Sequence, residues 1–429
     1  MSKKSTGELL AQMDHYGSRH YARSSVCFAK GKGIYVKDTD GKEYIDAASG
    51  YGSVGLGHNH PRICALLRKL NAVDKDGWGV VGIVPNVHPT PQLGTMLEYA
   101  CTKAFGYDKA LTTNGGVEAV EAAIKLMRKW GYTKKSVERG KARIVICEGN
   151  FHGRTTTVVG FSSEPTYREN FGPYAADAFI TVPYGDYGAF AKVMQEDAES
   201  GAPTIVGFLV EPIQGEGGVR IPPPGYLKAC AFLCEKNNVI FCADEIQAGL
   251  GRTGYLLASW HEGVKPDLVV IGKTLGAGKH PVAMVLGNDE HMVFTPGDHG
   301  STHGGNTTAM AIALEALAII KDEKLCVRSA MMGASLLHQL RQELSCGGAA
   351  KIAPLVRGRG LMIGIVLAPG VDSHMVIDEL LKNGVMTKDA HNVIRITPAL
   401  IITETEVKRL AELIGKTFAE IALRTLPKE

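Results

Sequence analysis

The sequence has no apolar run near the ~18 residues that a membrane-spanning helix needs, so no membrane partner is expected. It has no excess of either charge: 47 Lys and Arg stand against 44 Asp and Glu, a net +3. A polyanion-binding chain would carry basic residues in clusters and in excess, so nucleic acid is excluded as a partner. The N-terminus, MSKKSTGELLAQMDHYGS, lacks an apolar signal core and is poor in arginine. Nine cysteines cannot all pair, and the nearest two, Cys230 and Cys234, lack the C-x-x-C spacing of zinc and redox sites. Cys147, Cys242 and Cys326 lie inside apolar runs, where a thiol acts as a small hydrophobe. These absences predict a cytoplasmic protein without a metal site. Internal repeats and low-complexity tracts are missing as well.

What is present is a globular composition, 45% hydrophobic and 21% charged. The 429 residues suffice for two or three domains and a large core without disulfide staples. Glycine is abundant, at 51 residues. Glycines at the ends of apolar runs serve tight turns and close ligand approach; loop-rich architecture is the competing reading.

Gly33-Ile-Tyr-Val-Lys-Asp and Lys42-Glu-Tyr-Ile-Asp flank an Asp-Gly turn and predict a hairpin. From residue 108 to 287, short β-branched runs alternate with helical stretches such as 117–130 and 225–236. The runs are 110–113, 143–147, 178–182, 204–210, 239–243, 268–271 and 282–286. They predict an α/β fold with a seven-stranded, mostly parallel sheet covered on both faces. A helical stretch near 306–344 leads to Gly360-Leu-Met-Ile-Gly-Ile-Val-Leu, Val393-Ile-Arg-Ile and a last helix opened by Thr403-x-x-Glu406, a capping box. That part predicts a small α+β domain beside the N-terminal segment. The expected division is 1–60 (small domain and dimer contact), 61–324 (large, cofactor-binding) and 325–429 (C-terminal small domain).

Ligands of open parallel sheets bind at the carboxyl ends of the strands. After the first run comes Asn114-Gly-Gly-Val-Glu-Ala, a turn whose N–H groups suit a phosphate, or a plain turn. It is neither a dinucleotide fingerprint nor a P-loop. After the fifth run comes Asp244-Glu-Ile-Gln, an acid that needs a partner there, or a helix cap. After the sixth comes Gly272-Lys-Thr-Leu-Gly-Ala-Gly. A lysine desolvated among small residues becomes a nucleophile; a surface lysine with a packed stem is the bland alternative. Phosphate turn, strand-end acid and strand-end lysine together are what pyridoxal phosphate requires: donors for its phosphate, an acid for its ring nitrogen and an amine for an imine.

The motifs Gly57-His-Asn-His-Pro, Phe151-His-Gly-Arg, Val210-Glu-Pro-Ile-Gln-Gly-Glu-Gly, Ala243-Asp-Glu-Ile-Gln-Ala-Gly-Leu-Gly-Arg-Thr-Gly, Lys265-Pro-Asp, Gly272-Lys and His299-Gly-Ser-Thr-His-Gly-Gly-Asn resemble those of class-III pyridoxal-phosphate aminotransferases, from about residue 20 to the end. The resemblance implies the type-I fold of such transferases. Arg128-Lys-Trp-Gly-Tyr, Pro296-Gly-Asp-His-Gly-Ser-Thr and Tyr51 look most like the ornithine-specific members. The implied roles are as follows. Lys273 forms the imine and moves the proton. Asp244 binds the ring nitrogen and Gln247 the ring hydroxyl. Phe151 stacks on the ring, with His152 and Glu211 also at the cofactor. Gly115 and Gly116 hold the phosphate. Ser301 and Thr302 reach the neighbouring subunit's phosphate, which implies a homodimer. Arg395 grips the α-carboxylate of glutamate or 2-oxoglutarate, Arg154 the other carboxylate or that of L-ornithine, and Tyr21 and Tyr51 the α-amino end. Glu216 masks Arg395 when ornithine is bound. The implied products are glutamate 5-semialdehyde and glutamate.

Three features depart from the ornithine-type pattern. The segment 71–91 is long and rich in Gly, Val and Pro, near the expected mouth of the site. A hydroxyl residue is missing after Asn114. His152 replaces an aromatic. N-acetylornithine, 4-aminobutyrate or another ω-amine remain alternative donors; a racemase or aminomutase, or an inactive binding protein, remain alternative classes. His58 and His60, at i and i+2, are read as structural.

Overall fold

The computed structural model describes residues 4–345 and 347–425; Cys346 and both chain ends, which the domain expectation included, lie outside the described residues. All seven expected runs form one sheet. Its order is Lys109–Thr113, Ala283–Gly287, Leu268–Ile271, Ile240–Asp244, Ile205–Val210, Arg143–Cys147 and Phe179–Val182. Ala283–Gly287 runs antiparallel to both neighbours, and the other pairs are parallel.

Successive residues of a strand face opposite sides. Ile146, Leu209, Cys242 and Val270 accordingly enter one core layer, and Val145, Phe208, Phe241 and Ala243 enter the other. Covering both faces is why all six residues of Ile205–Val210 are buried and why these strands read as unbroken apolar runs. Helix Gly116–Thr133 lies directly on the sheet through Ala119, Ala123, Met127 and Trp130. A Cβ at Gly131 would come within 2.2 Å of Val206, so only glycine permits this approach.

The expected hairpin forms as Tyr35–Asp38 and Glu43–Asp46, extended by Phe28–Lys32 on its outer edge. Val385–Met386 adds in parallel to Glu43–Asp46, so the N-terminal sheet is completed by the C-terminal part of the chain. A third sheet contains Leu355–Arg359, Met362–Val366, Val393–Ile396 and Lys388–Ala390, all antiparallel. The helical stretch near 306–344 is two helices, Thr307–Asp322 and Leu325–Glu343, because Lys324 turns left-handed at φ 51°. Asn306 caps the first by accepting from Thr308 and Ala309 N–H. Among the described residues, no helix is long and apolar enough to cross a membrane.

Candidate active site

The site lies where the sheet's carboxyl ends face the C-terminal antiparallel sheet. Lys273 follows Leu268–Ile271 after one glycine, Gly272, in a left-handed turn (φ 47°) held by the Thr274 hydroxyl donating to Gly52 O at 2.8 Å. Burial pushes the Lys273 amine below its usual range, and Arg395 adds to this; Glu216 and Asp244 oppose it without reversing it. A lowered pKa makes a lysine a better nucleophile and proton acceptor than a solvated one.

Asp244 ends Ile240–Asp244 and is 4% exposed. Its Oδ2 lies 2.7 Å from Nδ1 of fully buried His152, and its Oδ1 accepts from Ile246 N–H at 3.1 Å. Burial works against the charged imidazole, but the hydrogen bond and charge of Asp244, with Glu211 nearby, hold the His152 pKa above its ordinary value. Glu211, after Ile205–Val210, accepts from Phe151 N–H at 3.1 Å and Gly215 N–H at 3.3 Å. Burial still lifts its carboxyl to about 7; His152 opposes the rise and Asp244 reinforces it.

Gln247 donates from Nε2 to Glu216 at 3.2 Å, and Glu216 pairs with Arg395 Nη1. Burial raises the Glu216 pKa, but Arg395 and Lys273 overcome it and hold the carboxyl below the usual range. Arg395 stands on Val393–Ile396, 4% exposed, donates to Asp389 O at 3.2 Å and lies 5.2 Å over the Tyr51 ring. Arg154 is exposed and stacks 3.6 Å over the ring of Tyr167, with Phe151 at 5.6 Å. Tyr21 is 61% exposed at the rim.

These groups converge on a cavity of about 470 Å³ lined by Tyr21, Tyr51, Phe151, Arg154, Glu216, Lys273 and Arg395. Sequence reasoning missed eight further wall residues, among them Glu164, Tyr167, Lys388, Asp389 and His391. No segment of the described chain from 71–91 lines this cavity; the segment is tied elsewhere, through Asn86 to Gly304 O and the Thr307 hydroxyl to Val81 O. Gly115 caps helix Gly116–Thr133 with open space beside it, so its backbone is accessible to a ligand. Ser301 reaches the same turn from within the chain, its Oγ 3.2 Å from Asn114 Nδ2, while Thr302 is exposed. His58 and His60 face separate carboxylates, Asp46 at 2.8 Å and Glu323 at 3.2 Å.

The arrangement fits pyridoxal phosphate. A desolvated amine, a buried acid at a strand end and an accessible helix N-terminus share one end of the sheet, and Gln247 Oε1 is buried there without a partner. The open cavity lies within the ~300–1,000 Å³ usual for small-molecule sites.

Residues 16–418 match the family model of class-III aminotransferases. The mitochondrial ornithine aminotransferase of Rattus norvegicus is 42% identical over 406 residues, covering 94% of this chain and 88% of the rat protein. A solved ornithine aminotransferase from Toxoplasma gondii, with pyridoxal phosphate partially occupying its active site, superposes with a TM-score of 0.89 at 37% identity, covering 99% of this chain and 96% of that one. An acetylornithine aminotransferase from Elizabethkingia anophelis gives a TM-score of 0.84 at 38% identity, covering 97% of this chain and all of that one (100%). The likeness spans the sheet and both flanking parts, so the chain belongs to the class-III aminotransferases and is a transaminase dependent on pyridoxal phosphate.

Proposed function

We propose that the protein transfers the δ-amino group of L-ornithine to 2-oxoglutarate, giving glutamate 5-semialdehyde and glutamate. One observation carries this reading: Arg395 is paired with Glu216 while Arg154, in the same cavity, stacks on Tyr167. A site that alternates between a diamine and a diacid must show one cation to the first and two to the second. With Glu216 on Arg395, one free arginine remains for the carboxylate of ornithine. With Glu216 withdrawn, Arg395 offers a planar fork to a second carboxylate.

Pyridoxal phosphate, when bound, supplies an aldehyde that takes up the amino group and a ring that draws electrons from the reacting carbon. Lys273 Nζ, whose pKa burial lowers, accepts and returns the proton at that carbon. Asp244 keeps a proton on the ring nitrogen, steadied by the His152 ring behind it. Gly115 and Gly116 present N–H groups to the phosphate, with Ser301 beside them. Phe151 and Gln247 orient the ring. The chain works as a cytoplasmic homodimer in this reading. Val73, Trp78, Val81 and Val87 of the long 71–91 segment are exposed apolar side chains, which contact with a second copy would cover.

The test is a half-reaction. The protein, loaded with pyridoxal phosphate, is mixed with L-ornithine and no oxo acid. The visible absorption of the bound cofactor should be lost rapidly and return on adding 2-oxoglutarate; Lys273→Ala should show neither change. Fast loss with N-acetylornithine or 4-aminobutyrate, and none with ornithine, would overturn the donor assignment and leave the chemistry intact.

A further inference from the structure

The Arg154 wall carries a carboxylate that the reaction so far leaves without a task. Glu164 precedes the short helix Pro165–Arg168, whose Tyr167 lies under the Arg154 guanidinium, so acid and arginine share one wall. Among the described residues, its Oε1 accepts only from Thr166, at 3.0 Å. Its Oε2 faces His391 Nδ1 at 3.6 Å, beyond a good hydrogen bond, and that histidine is half exposed. The other two carboxylates of the cavity are committed. Glu216 is held by Arg395 and Gln247, and Asp389 accepts from Ser373 at 2.6 Å with His374 at 3.3 Å. Arg154 itself makes no ion pair among the described residues.

A second chamber of about 470 Å³, with Ser162, Arg168 and Arg220 in its walls, meets the first at Glu164, Tyr167, Glu216 and His391. Glu164 therefore stands at the junction of the two chambers. Arg154 lines the same chamber, so the end of a donor that it holds lies on the wall that carries Glu164.

Building on the ornithine reading, we propose that Glu164 receives the α-ammonium of the amino donor while Arg154 receives its α-carboxylate, so that together they select donors with a free amino-acid end. The ammonium exchanges places with His391 on Oε2. An N-acylated donor brings no positive charge and turns an amide carbonyl toward a carboxylate, two acceptors face to face. The tyrosines at the rim can hydrogen-bond an ammonium but cannot neutralise it.

The experiment removes the charge from each side in turn. Half-reaction kinetics are measured for wild type, Glu164→Gln and Glu164→Asp with L-ornithine, with 5-aminopentanoate (the same chain without the α-amino group), with N-acetylornithine and with L-glutamate. In wild type, ornithine should be preferred over 5-aminopentanoate in kcat/KM. In Glu164→Gln that preference should shrink about tenfold or more, mainly through KM for ornithine, and Glu164→Asp should restore most of it. An unchanged preference in Glu164→Gln overturns the role of Glu164 alone. So does a parallel loss with all four amines, which marks a structural role. A wild type that prefers N-acetylornithine overturns the ornithine reading and this inference together.

Discussion

The floor of the cavity and its mouth are built by opposite rules. Lys273, Asp244 and Glu211 stand at strand ends of one sheet, with His152 packed behind them; Asp244 and Glu211 are only 4% and 6% exposed. Arg154, Glu164, Tyr21 and His391 stand on loops or beside a four-residue helix, and water reaches them. On the dry floor a charge persists only if a neighbour holds it, so pKa values move: Lys273 down, His152 up, Glu211 up to about 7. At the mouth, charges are screened and partners are held loosely, as His391 is at 3.6 Å from Glu164. The comparison assigns the kind of reaction to groups fixed by the sheet, and the choice of donor to groups that a few loop residues can re-aim.

The largest break in that contrast is Asp244→Asn. The shape is kept and one acceptor remains for His152, but the buried negative charge is lost. Loss of a preorganised charge in a dry site slows catalysis on the order of 100- to 1,000-fold. Half-reaction rates with ornithine and with glutamate should fall together, because the floor serves both. A loss confined to one donor would contradict the division between floor and mouth.

Glu211 sharpens the contrast through pH. Its folded pKa of about 7 lies above the ordinary 4.5, so between these values the folded protein binds the extra proton. Stability from this group is therefore greatest at low pH and declines as pH rises toward 7, by about 3 kcal/mol in all. Glu245, also lifted to about 7 by burial, acts in the same direction. So does His152, whose raised folded pKa gives stability that is lost as pH rises through it. Glu211→Gln should make the decline of the unfolding midpoint from pH 5 to pH 8 visibly shallower. Identical slopes would mean that Glu211 ionises as a solvated acid does.

A smaller effect is expected at Arg395→Lys, on the cavity's C-terminal wall. The charge stays and can still pair with Glu216, but the planar fork is lost. KM for 2-oxoglutarate should rise about tenfold, with ornithine affected less. Equal changes for both substrates would indicate that Arg395 does not distinguish the two half-reactions.

The same division governs what could be read from the sequence. The five inner strands are visible because they are buried on both faces and therefore written in apolar, β-branched residues, and the part-buried edges Lys109–Thr113 and Phe179–Val182 keep enough of that pattern to be read. Phe28–Lys32 was not, since FAKGK is a largely exposed edge with no apolar alternation. Lys388–Ala390 is three residues long and equally silent. Nothing in the composition near Lys324 marks the left-handed turn that divides the two helices. Lys273 and Asp244 stood out as charges at the ends of apolar runs. The contact of His152 with Asp244 joins residues 92 apart in the chain, and no local pattern announces it. Glu164 and Tyr167 sit in a polar turn, and only the packing of that turn against Arg154 and His391 gives them a place in the site.

The smallest expected effect lies outside both regions, at the cap of the final helix, Glu404–Thr425. Thr403 N–H donates to Glu406 Oε2 at 2.8 Å and Glu406 N–H donates to Thr403 Oγ1 at 3.3 Å, completing the box expected from the sequence. The helix is anchored chiefly by Val407, Leu410, Ile414 and Phe418, all fully buried, and each side chain contributes about 2 kcal/mol by burial. Thr403→Ala removes one acceptor from the first turn and should cost about 1 kcal/mol. In a chain of this length the unfolding midpoint should fall by only about 2 °C. Turnover and donor preference should stay as they were, because no residue of this helix lines the cavity. A change in donor preference in Thr403→Ala would show that the mouth depends on how this helix begins, and would place the support of the C-terminal sheet among the determinants of substrate choice.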